Sequence, residues 1–431
     1  MRKIDDEIQA LLSEHRGDIR SILKDNHRLD LLYALSSQRE LLLEWYDFEP
    51  EAEVLQVGAD YGALTGLLRS SVSAVTVLDE TESALETVRQ RYPGAANIYY
   101  RKDSLAGYAA EACAEGKKYD YVIFAGTLTA PYEKHIHAAK SLLKPDGILI
   151  VALANALGMK YFAGTVEEEN ALTKRQLAEL LCGDKETQSM ADESGTLKFY
   201  YPMPDYKTPV SIYSDAYLPK KGDLTRVTPA YDYPPYHLME QGEKFDTVCE
   251  AGLFDLYANS YLVFWSADPK QLQKDDERIF IKYNKTRREE FQIKTCICER
   301  NVIGAAGASG AAGADATGNS AAGKKERYVE KAALSLDGSA HIASFKEKYE
   351  KLTKQHRTLK VAEPKFAEHR NSVFFPYLVG ETCAEKLGEQ LEGGQLPLDV
   401  LQIVMNQIYD ISPECRSAFV RTADFDEVFG A

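Results

Sequence analysis

The sequence of 431 residues lacks the marks of a membrane-anchored or secreted protein. It contains no apolar run long enough to cross a bilayer, which takes about 20 residues. Its first residues, MRKIDDEIQALL, also lack the basic stretch and apolar core of a signal peptide. We therefore expect neither a membrane span nor a secretory signal.

Basic residues are too few for a nucleic-acid partner. The chain has 51 Lys and Arg against 66 Asp and Glu, which gives a net charge of −15. Binding to phosphate backbones requires clustered Lys and Arg. The composition thus argues against a role on DNA or RNA.

Cysteine is scarce and scattered, and only Cys296 and Cys298 lie close together, in FQIKTCICER. At this spacing on a strand the two side chains would share one face. No second Cys or His cluster completes a metal site. We interpret both as structural residues of a cytoplasmic chain with reduced thiols.

The length predicts two or three domains, and the first part of the chain reads as helical. Residues 1–46 carry apolar side chains at helical spacing, and SSQRELLLEWYDF supplies a serine cap before a second helix. This N-terminal helical segment is interpreted as a lid or a dimerisation arm.

Residues 47–267 alternate between short apolar runs and helix-length stretches. Strands are predicted for EVLQVG, AVTVLD, NIYY, YDYVIFA and GILIVALA. Nearly continuous apolar strands that alternate with helices indicate βαβ units and a parallel sheet covered on both faces. The predicted fold class is α/β with a Rossmann-like sheet, an insertion at about 200–258 and a late strand near 259–267.

A ligand site is predicted at the ends of three of these strands. In VLQVGADYGALTG, residues 54–66, a strand ends at Gly58, turns, and enters a helix after Gly62. Glycines are needed where the turn requires unusual dihedral angles and where a ligand approaches bare backbone. Asp79 ends the next strand and Asp103, followed by Ser104, comes after the third, so these groups should share one crevice.

The turn reads G-x-D-x-G and not G-x-G-x-x-G, which favours S-adenosyl-L-methionine (SAM) over a dinucleotide. A Rossmann-like sheet without any ligand remains the alternative. From about residue 33 to residue 267 the sequence resembles class I SAM-dependent methyltransferases encoded in bacterial cell-surface polysaccharide clusters. The stretches that carry this resemblance are LSSQRELLLEWYDF, VLQVGADYGALTG, VTVLDE, KYDYVIFAGTL, LLKPDGILIVALAN, LGMKYFAG, YYPMPDYKTPVSIYSDAYLP and NSYLVFW.

The resemblance implies a SAM cofactor, with the turn at residues 58–62 facing its methionine moiety. Asp79 would hold the ribose and Asp103 would lie near the adenine. The implied reaction is O-methylation of a sugar or polysaccharide precursor, and glycosyltransferases of the same pathway are candidate partners.

Several positions depart from that family. Gln56 stands where an acidic residue is usual, and Asp60 stands where a glycine is usual, so we expect Asp60 to crowd the turn and repel the ligand carboxylate. These changes leave two hypotheses open: an active methyltransferase, or a catalytically weakened SAM-binding or non-catalytic scaffold in surface-glycan biosynthesis.

The methyl acceptor site is predicted with less support from the residues. Asn155 and Tyr161 follow a strand's carboxyl end and are the candidate catalytic residues. His135 and His137 lie on one predicted helix and are interpreted as a surface pair. The tyrosines of residues 200–236 are expected to pack the insertion against the sheet, with stacking on sugar rings as the alternative.

Residues 275–431 are predicted to form a smaller α+β domain with a flexible Gly/Ala/Ser-rich loop at 303–324. This part resembles the small lobe of a kinase-like fold. The resemblance implies that Lys331 takes the phosphate-contacting position and pairs with Glu347 or Glu350. An unrelated α+β module is the alternative. Because no Asp/Asn pair for Mg²⁺ follows, a working kinase is not expected.

Overall fold

The computed structural model describes residues 3–183, 195–225, 238–301, 325–355, 360–366 and 371–415. The chain forms two compact units, residues 1–283 and 284–431. Two features of the sequence, the loop at 303–324 and the Pro- and Tyr-rich stretch at 228–236, lie outside the described residues. The N-terminal helical segment belongs to the first unit, and so does most of the strand that begins at residue 276.

The first unit is built on a mixed sheet. Its strands are β1 (Glu53–Val57), β2 (Ala74–Asp79), β3 (Ile98–Lys102), β4 (Tyr119–Ala125), β5 (Leu143–Ala154), β6 (Thr196–Met203), β7 (Ser211–Ser214), β8 (Ser260–Ser266) and β9 (Asp276–Asn284). They lie in the order β3-β2-β1-β4-β5-β8-β6-β7-β9. Strands β1 to β5 are parallel, and β8 runs antiparallel between β5 and β6.

The order β3-β2-β1-β4-β5 is that of the Rossmann sheet, so the predicted fold class and all five predicted strands are confirmed. The late strand near 259–267 is also present, as β8. Every residue of β8 is buried, as are the last eight of β5. Strands that are buried on both faces need apolar residues at nearly every position, which is why these segments read as continuous apolar runs.

Three α-helices of the first unit precede β1, and the others lie between its strands. They are α1 (Lys3–Glu14), α2 (Ile19–Asp25), α3 (Leu29–Leu35), α4 (Thr65–Ser71), α5 (Glu82–Arg91), α6 (Leu105–Ala114), α7 (Tyr132–Ser141), α8 (Met159–Phe162), α9 (Lys174–Cys182), α10 (Gln241–Glu250) and α11 (Phe254–Tyr257). The serine cap predicted in SSQRELLLEWYDF is Ser36, whose hydroxyl accepts from Gln38 N, but it caps a 3-10 helix, Ser37–Leu42, and not an α-helix.

The N-terminal helices pack against the strand-β1 turn. Ile8, Leu12, Ile22, Leu31 and Leu35 form a small core with Tyr61 packed against it. The Tyr61 hydroxyl also donates to Asp5 Oδ1 at 2.6 Å. The segment is therefore an integral support of this turn.

The described residues of the second unit form an antiparallel sheet and three α-helices. Its strands lie in the order β10-β11-β13-β12. The elements are β10 (Ile293–Asn301), β11 (Lys325–Ala333), α12 (Ser339–Gln355), β12 (Lys365–Phe366), β13 (Ser372–Pro376), α13 (Cys383–Glu392) and α14 (Leu398–Cys415). Within the described residues, no helix of either unit combines the length and the apolar character needed to span a bilayer.

Cys296 and Cys298 lie on one face of β10, as predicted, and both are buried. Their register partners on β11 are Glu330 and Tyr328. No set of three His, Cys, Asp or Glu side chains among the described residues could hold a metal ion.

The predicted pair of Lys331 with Glu347 or Glu350 is wrong. Glu347 is exposed and forms an ion pair with Lys351 at 2.6 Å. Lys331 Nζ instead lies 5.8 Å from the ring centroids of Phe345 and Phe375. Helix α12 packs Phe345 against the sheet, and this orientation leaves Glu347 in solvent.

Candidate functional site

A cleft of about 310 Å³ lies at the carboxyl ends of the parallel strands. Twelve residues that follow or end β1, β2, β3 and β4, or begin the next helix, line it: Val57, Gly58, Leu78, Asp79, Glu80, Thr81, Asp103, Leu105, Phe124, Thr127, Thr129 and His135. Open α/β sheets bind ligands at this edge. The cleft therefore lies where the sequence predicts the crevice.

The turn after β1 has the left-handed backbone that its glycines predict. Gly58 has φ +85° and Gly62 has φ +74°, and Asp60 and Tyr61 between them are also left-handed, at +40° and +54°. A Cβ on Gly58 would lie 2.5 Å from Thr127 Cγ2. Gly58 is thus required both by its dihedral angles and by the side chain packed against it.

The prediction that the turn runs directly into a helix is wrong. A 3-10 turn, Asp60–Gly62, comes before α4, and the N–H groups of Gly62 and Ala63 donate to the carbonyl oxygens of Ala59 and Asp60. These donors are satisfied within the turn and are not free to hold an anion.

Asp60 does not leave an unopposed charge beside the turn. Its Oδ2 lies 2.5 Å from Nη2 of Arg39, a side chain only 5% exposed, and Arg39 Nη1 donates to Tyr33 O. The expectation that Asp60 repels a ligand carboxylate is wrong, because a buried guanidinium neutralises it. The pair also ties the turn to the N-terminal segment.

The hydrogen bonds of Gln56 explain why an amide stands where an acidic residue is usual. Its Nε2 donates to the carbonyl oxygens of Gly58 and Ala59, at 3.1 and 3.2 Å. Its Oε1 accepts from the Thr65 hydroxyl at 2.8 Å. A carboxylate cannot donate, so only an amide makes all three bonds that close the turn onto α4.

Asp79 joins the first two strand ends. Its Oδ2 accepts from Ala59 N at 3.0 Å, and its Oδ1 accepts from the backbone N–H and the hydroxyl of Thr81, both at 2.9 Å. A carboxylate offers about four acceptor positions, so one stays available on Oδ2 for a ligand hydroxyl.

Asp103 and Ser104 have different places. Asp103 lines the cleft, and its carboxylate accepts from Ser104 N at 2.7 Å. Ser104 is the N-cap of α6, where its hydroxyl accepts from Gly107 N. Of the predicted cofactor residues, Gly58, Asp79 and Asp103 line the cleft, whereas Gln56, Asp60, Gly62 and Ser104 lie outside its lining.

His135 is a cleft residue that the sequence analysis missed. It begins the second turn of α7 and lines the cleft. Its Nδ1 lies 2.9 Å from Thr129 O. In the neutral ring Nδ1 is then the donor, which leaves Nε2 as an acceptor. The interpretation of His135 and His137 as surface residues is right for His137, which is exposed, and wrong for His135, which is half-buried. The sequence signal for His135 is its place near the start of the helix that follows β4, because such helices begin at the carboxyl edge of the sheet.

Asn155 is placed away from the cleft lining. It is fully buried, and its Nδ2 donates to the carbonyl oxygens of Leu256 and Ala258 while its Oδ1 accepts from Leu157 N. These bonds fix the loop after β5. Its catalytic role, like that of Tyr161, whose hydroxyl accepts from Glu168 N at 3.3 Å, stays a prediction.

A buried ionic network follows β5. Lys160 Nζ, 2% exposed, contacts Asp205 Oδ2 at 2.6 Å and Glu168 Oε1 at 2.8 Å. Glu168 Oε2 also accepts from Tyr206 and contacts Lys207 Nζ, both at 3.1 Å. Burial alone would raise the pKa of Glu168, but the two lysines outweigh it and hold that pKa at about 2. The carboxylate stays ionised near neutral pH, and its low pKa makes it a poor base.

Four described tyrosines of the insertion are packing residues. Tyr200, Tyr201, Tyr206 and Tyr213 are each less than 5% exposed. Tyr206 packs against the backbone at Gly126, where a Cβ would lie 2.6 Å from its hydroxyl. Tyr231, Tyr233 and Tyr236 lie outside the described residues.

Comparison with known proteins gives only distant likenesses. No family model matches the chain, and no curated protein matches it. Similar solved structures include a precorrin-8W decarboxylase of Methanobacterium thermoautotrophicum, with 13% identity, 54% of this chain and 90% of that chain covered and a TM-score of 0.31.

Two methyltransferases are also similar. One is the N-methyltransferase NodS of Bradyrhizobium japonicum with S-adenosyl-L-homocysteine, at 19% identity, covering 33% of this chain and 71% of that chain, TM-score 0.25. The other is phosphoethanolamine N-methyltransferase 1 of Haemonchus contortus with phosphoethanolamine and S-adenosylhomocysteine, at 13% identity, covering 61% and 48%, TM-score 0.34. Likenesses this weak do not say what this chain binds.

Proposed function

We propose that the cleft binds SAM and that the chain is a SAM-dependent methyltransferase. The observation that carries the proposal is the meeting of the left-handed turn at residues 58–62 with Asp79 and Asp103 around one cleft at the carboxyl edge of the sheet. Such a set of glycine turn and acidic strand ends suits a nucleoside ligand.

The charges of the lining favour SAM over a dinucleotide. Asp79, Glu80 and Asp103 contribute three carboxylates, and no Lys or Arg is among the described residues that line the cleft. This field would repel a pyrophosphate and attract the sulfonium and ammonium groups of SAM. Leu78, Leu105 and Phe124 supply the apolar wall that a nucleobase needs.

The residues of the chain would mainly position the reactants. SAM, when bound, supplies the electrophilic methyl group. Asp79 would hold ribose hydroxyls through its remaining acceptor position, and the Gly58 backbone would allow close approach of the ligand. Holding donor and acceptor in line supplies much of the rate enhancement for such a displacement.

The acceptor proposed is a hydroxyl of a sugar or polysaccharide precursor in the cytoplasm, with glycosyltransferases as partners. This part rests on the sequence resemblance alone. A non-catalytic SAM-binding scaffold is the second candidate. It is favoured by the side chains of Asn155 and Lys160, whose polar atoms are engaged in internal bonds just after β5.

Calorimetric titration with SAM tests the proposal on wild type, Asp79→Ala and Asp146→Ala. Asp146 is an exposed acidic residue in the first half of β5, far along the strand from the carboxyl edge, and serves as the matched control. We expect micromolar binding, near −8 kcal/mol, that is lost in Asp79→Ala and kept in Asp146→Ala. No binding by folded wild type would contradict the proposal; binding without methyl transfer to any hydroxyl acceptor would select the scaffold.

A further inference from the structure

An exposed apolar surface lies at the carboxyl edge of the sheet in the first unit, around the loop that follows β5. Its members are Leu157 (41% exposed), Phe162 (55%), Leu238 (69%), Leu256 (40%) and the half-buried Tyr257. We call these five residues the apolar patch. Apolar surface is unfavourable in water, so a contiguous exposed group of this kind marks a place where a ligand or a partner docks.

Three members of the apolar patch meet although they come from separate stretches of the chain. The ring centroids of Phe162 on α8 and Tyr257 on α11 lie 6.2 Å apart. Leu238 N donates to the carbonyl oxygen of Ala163, the residue after Phe162, at 3.0 Å. These contacts bring α8, α11 and the residue at 238 into one surface.

Asn155 holds the other two members. Its Oδ1 accepts from Leu157 N at 3.0 Å, and its Nδ2 donates to Leu256 O at 2.8 Å. Because Asn155 is fully buried, it fixes the backbone of both leucines from the core side. Their side chains are therefore exposed on a fixed support.

The apolar patch continues to the cleft through the segment after α8. Asn170 ends this segment, and its Nδ2 donates to Gly126 O at 3.0 Å and to Leu128 O at 3.2 Å. Thr127, which lies between these two residues, lines the cleft. A ligand on the apolar patch thus lies next to the wall of the proposed cofactor site.

Exposed carboxylates lie on the segment between the apolar patch and that wall. Glu167 and Glu169 belong to it, and both are exposed. Carboxylates repel an anionic ligand or an anionic bilayer, but they accept hydrogen bonds from neutral hydroxyl groups. The occupant that fits both features is neutral, with one apolar end and one hydroxylated end.

We propose that the apolar patch binds the apolar chain of a neutral glycolipid, whose sugar hydroxyls point toward the cleft. This inference rests on the proposed function, since it takes the sugar as the methyl acceptor, and it adds that the acceptor sugar carries an alkyl or prenyl chain. Glu167 and Glu169 would accept hydrogen bonds from sugar hydroxyls, and Phe162 and Tyr257 would pack against the chain.

Binding of octyl glucoside to the full chain tests the proposal. It is measured by saturation-transfer NMR without SAM, below the critical micelle concentration. Methyl glucoside keeps the sugar and lacks the chain, whereas octyl tetraethylene glycol ether keeps the chain and lacks the sugar. We expect saturable binding of octyl glucoside that is about tenfold tighter than that of either comparison ligand. No saturable binding, or equal affinity for octyl glucoside and one comparison ligand, would overturn the proposal.

Variants locate the binding. Phe162→Ser and Leu238→Ser each remove an exposed apolar side chain from the patch, and Tyr99→Ser is the matched control. Tyr99 is as exposed as Phe162, at 55%, but lies on β3, which three strands separate from β5. Octyl glucoside should bind about tenfold more weakly to each patch variant and as tightly to Tyr99→Ser as to wild type. Equal weakening in Tyr99→Ser, or unchanged affinity in Phe162→Ser, would contradict the assignment.

Two further readouts separate this proposal from its alternatives. If light scattering shows a dimer that Phe162→Ser abolishes, the apolar patch faces a second copy of the chain and the proposal is wrong. SAM affinity, measured separately, should be the same in wild type and in the patch variants. Absence of SAM binding in wild type would contradict the proposed cofactor site alone. Absence of octyl glucoside binding with SAM binding intact would contradict the role of the apolar patch alone.

Discussion

The two halves of the carboxyl edge of the sheet in the first unit differ in what their polar side chains do. After β1, β2 and β3, the carboxylates of Asp79 and Asp103 line a cleft. After β5, Asn155 and Lys160 are almost fully buried and spend their polar atoms on internal bonds. The first half leaves its carboxylates facing the cleft that we propose as the cofactor site. The second half is built to hold the insertion onto the sheet.

Lys160→Met should have the largest effect on this comparison. It leaves Asp205 and Glu168 buried without their shared cation, which costs about 3–5 kcal/mol. We expect a correspondingly lower unfolding free energy in urea and unchanged SAM affinity of the folded fraction. Lys207→Met removes a more exposed lysine from the carboxylate of Glu168 and should cost less than about 1 kcal/mol. Equal losses of unfolding free energy in the two variants would contradict the central role of Lys160 in the network.

Acid should weaken the buried ionic network after β5. The pKa of Glu168 is about 2 in the folded chain, below the ordinary value of 4.5. A group with a depressed folded pKa stabilises the fold above its unfolded pKa and loses that contribution as pH falls through the folded value. Unfolding free energy should therefore decline between about pH 4.5 and pH 2 by on the order of 2–3 kcal/mol more in wild type than in Glu168→Gln. Parallel curves would disprove the assignment.

Gly58→Ala and Gly94→Ala separate packing from backbone strain. Both glycines are left-handed, but a Cβ on Gly94 meets nothing within 4 Å, whereas one on Gly58 meets Thr127. Gly94→Ala should cost about 1 kcal/mol, and Gly58→Ala about 1–3 kcal/mol more because Thr127 must move. Thermal unfolding measures both. Similar costs would mean that Thr127 yields freely.

His135→Ala should have the smallest effect, and only on the cleft. Loss of one neutral hydrogen-bond partner for the ligand corresponds to about 1 kcal/mol, or roughly fivefold in SAM affinity. His137→Ala, on the same helix but exposed, is the control. If both variants bind SAM like wild type, His135 lines the cleft without touching the ligand.

The sequence predicts the first half well because its rules are local. A glycine that needs positive φ, an acidic residue at a strand end and a period of apolar runs all act within a few residues. Gly58, Asp79 and Asp103, which these local rules select, all line the cleft. Asp60 instead contacts Arg39, and Asn155 contacts the backbone of Leu256 and Ala258. These partners are far away in the sequence, so no local pattern predicts them.

The same distinction explains the errors. Glu347 was paired with Lys331 by resemblance, but the rotation of α12 that buries Phe345 decides which side chains reach the sheet. Gln56 stands where the resemblance implies a carboxylate, but its three hydrogen bonds require an amide. Substitutions at a site can be read as losses only when their partners are known.

The most direct test compares SAM affinity and melting temperature in Asp79→Asn and Asn155→Ala. Asp79→Asn removes the ligand-facing charge and one of the oxygens that accept from Ala59 N and Thr81. We therefore expect SAM affinity to fall at least tenfold, with a smaller drop in melting temperature than in Asn155→Ala, which loses three hydrogen bonds. Asn155→Ala should lower the melting temperature. At temperatures below that melting point, its SAM affinity should equal that of wild type. Equal SAM affinity in Asp79→Asn and wild type, or no binding to either, would contradict the account of the cleft as the cofactor site.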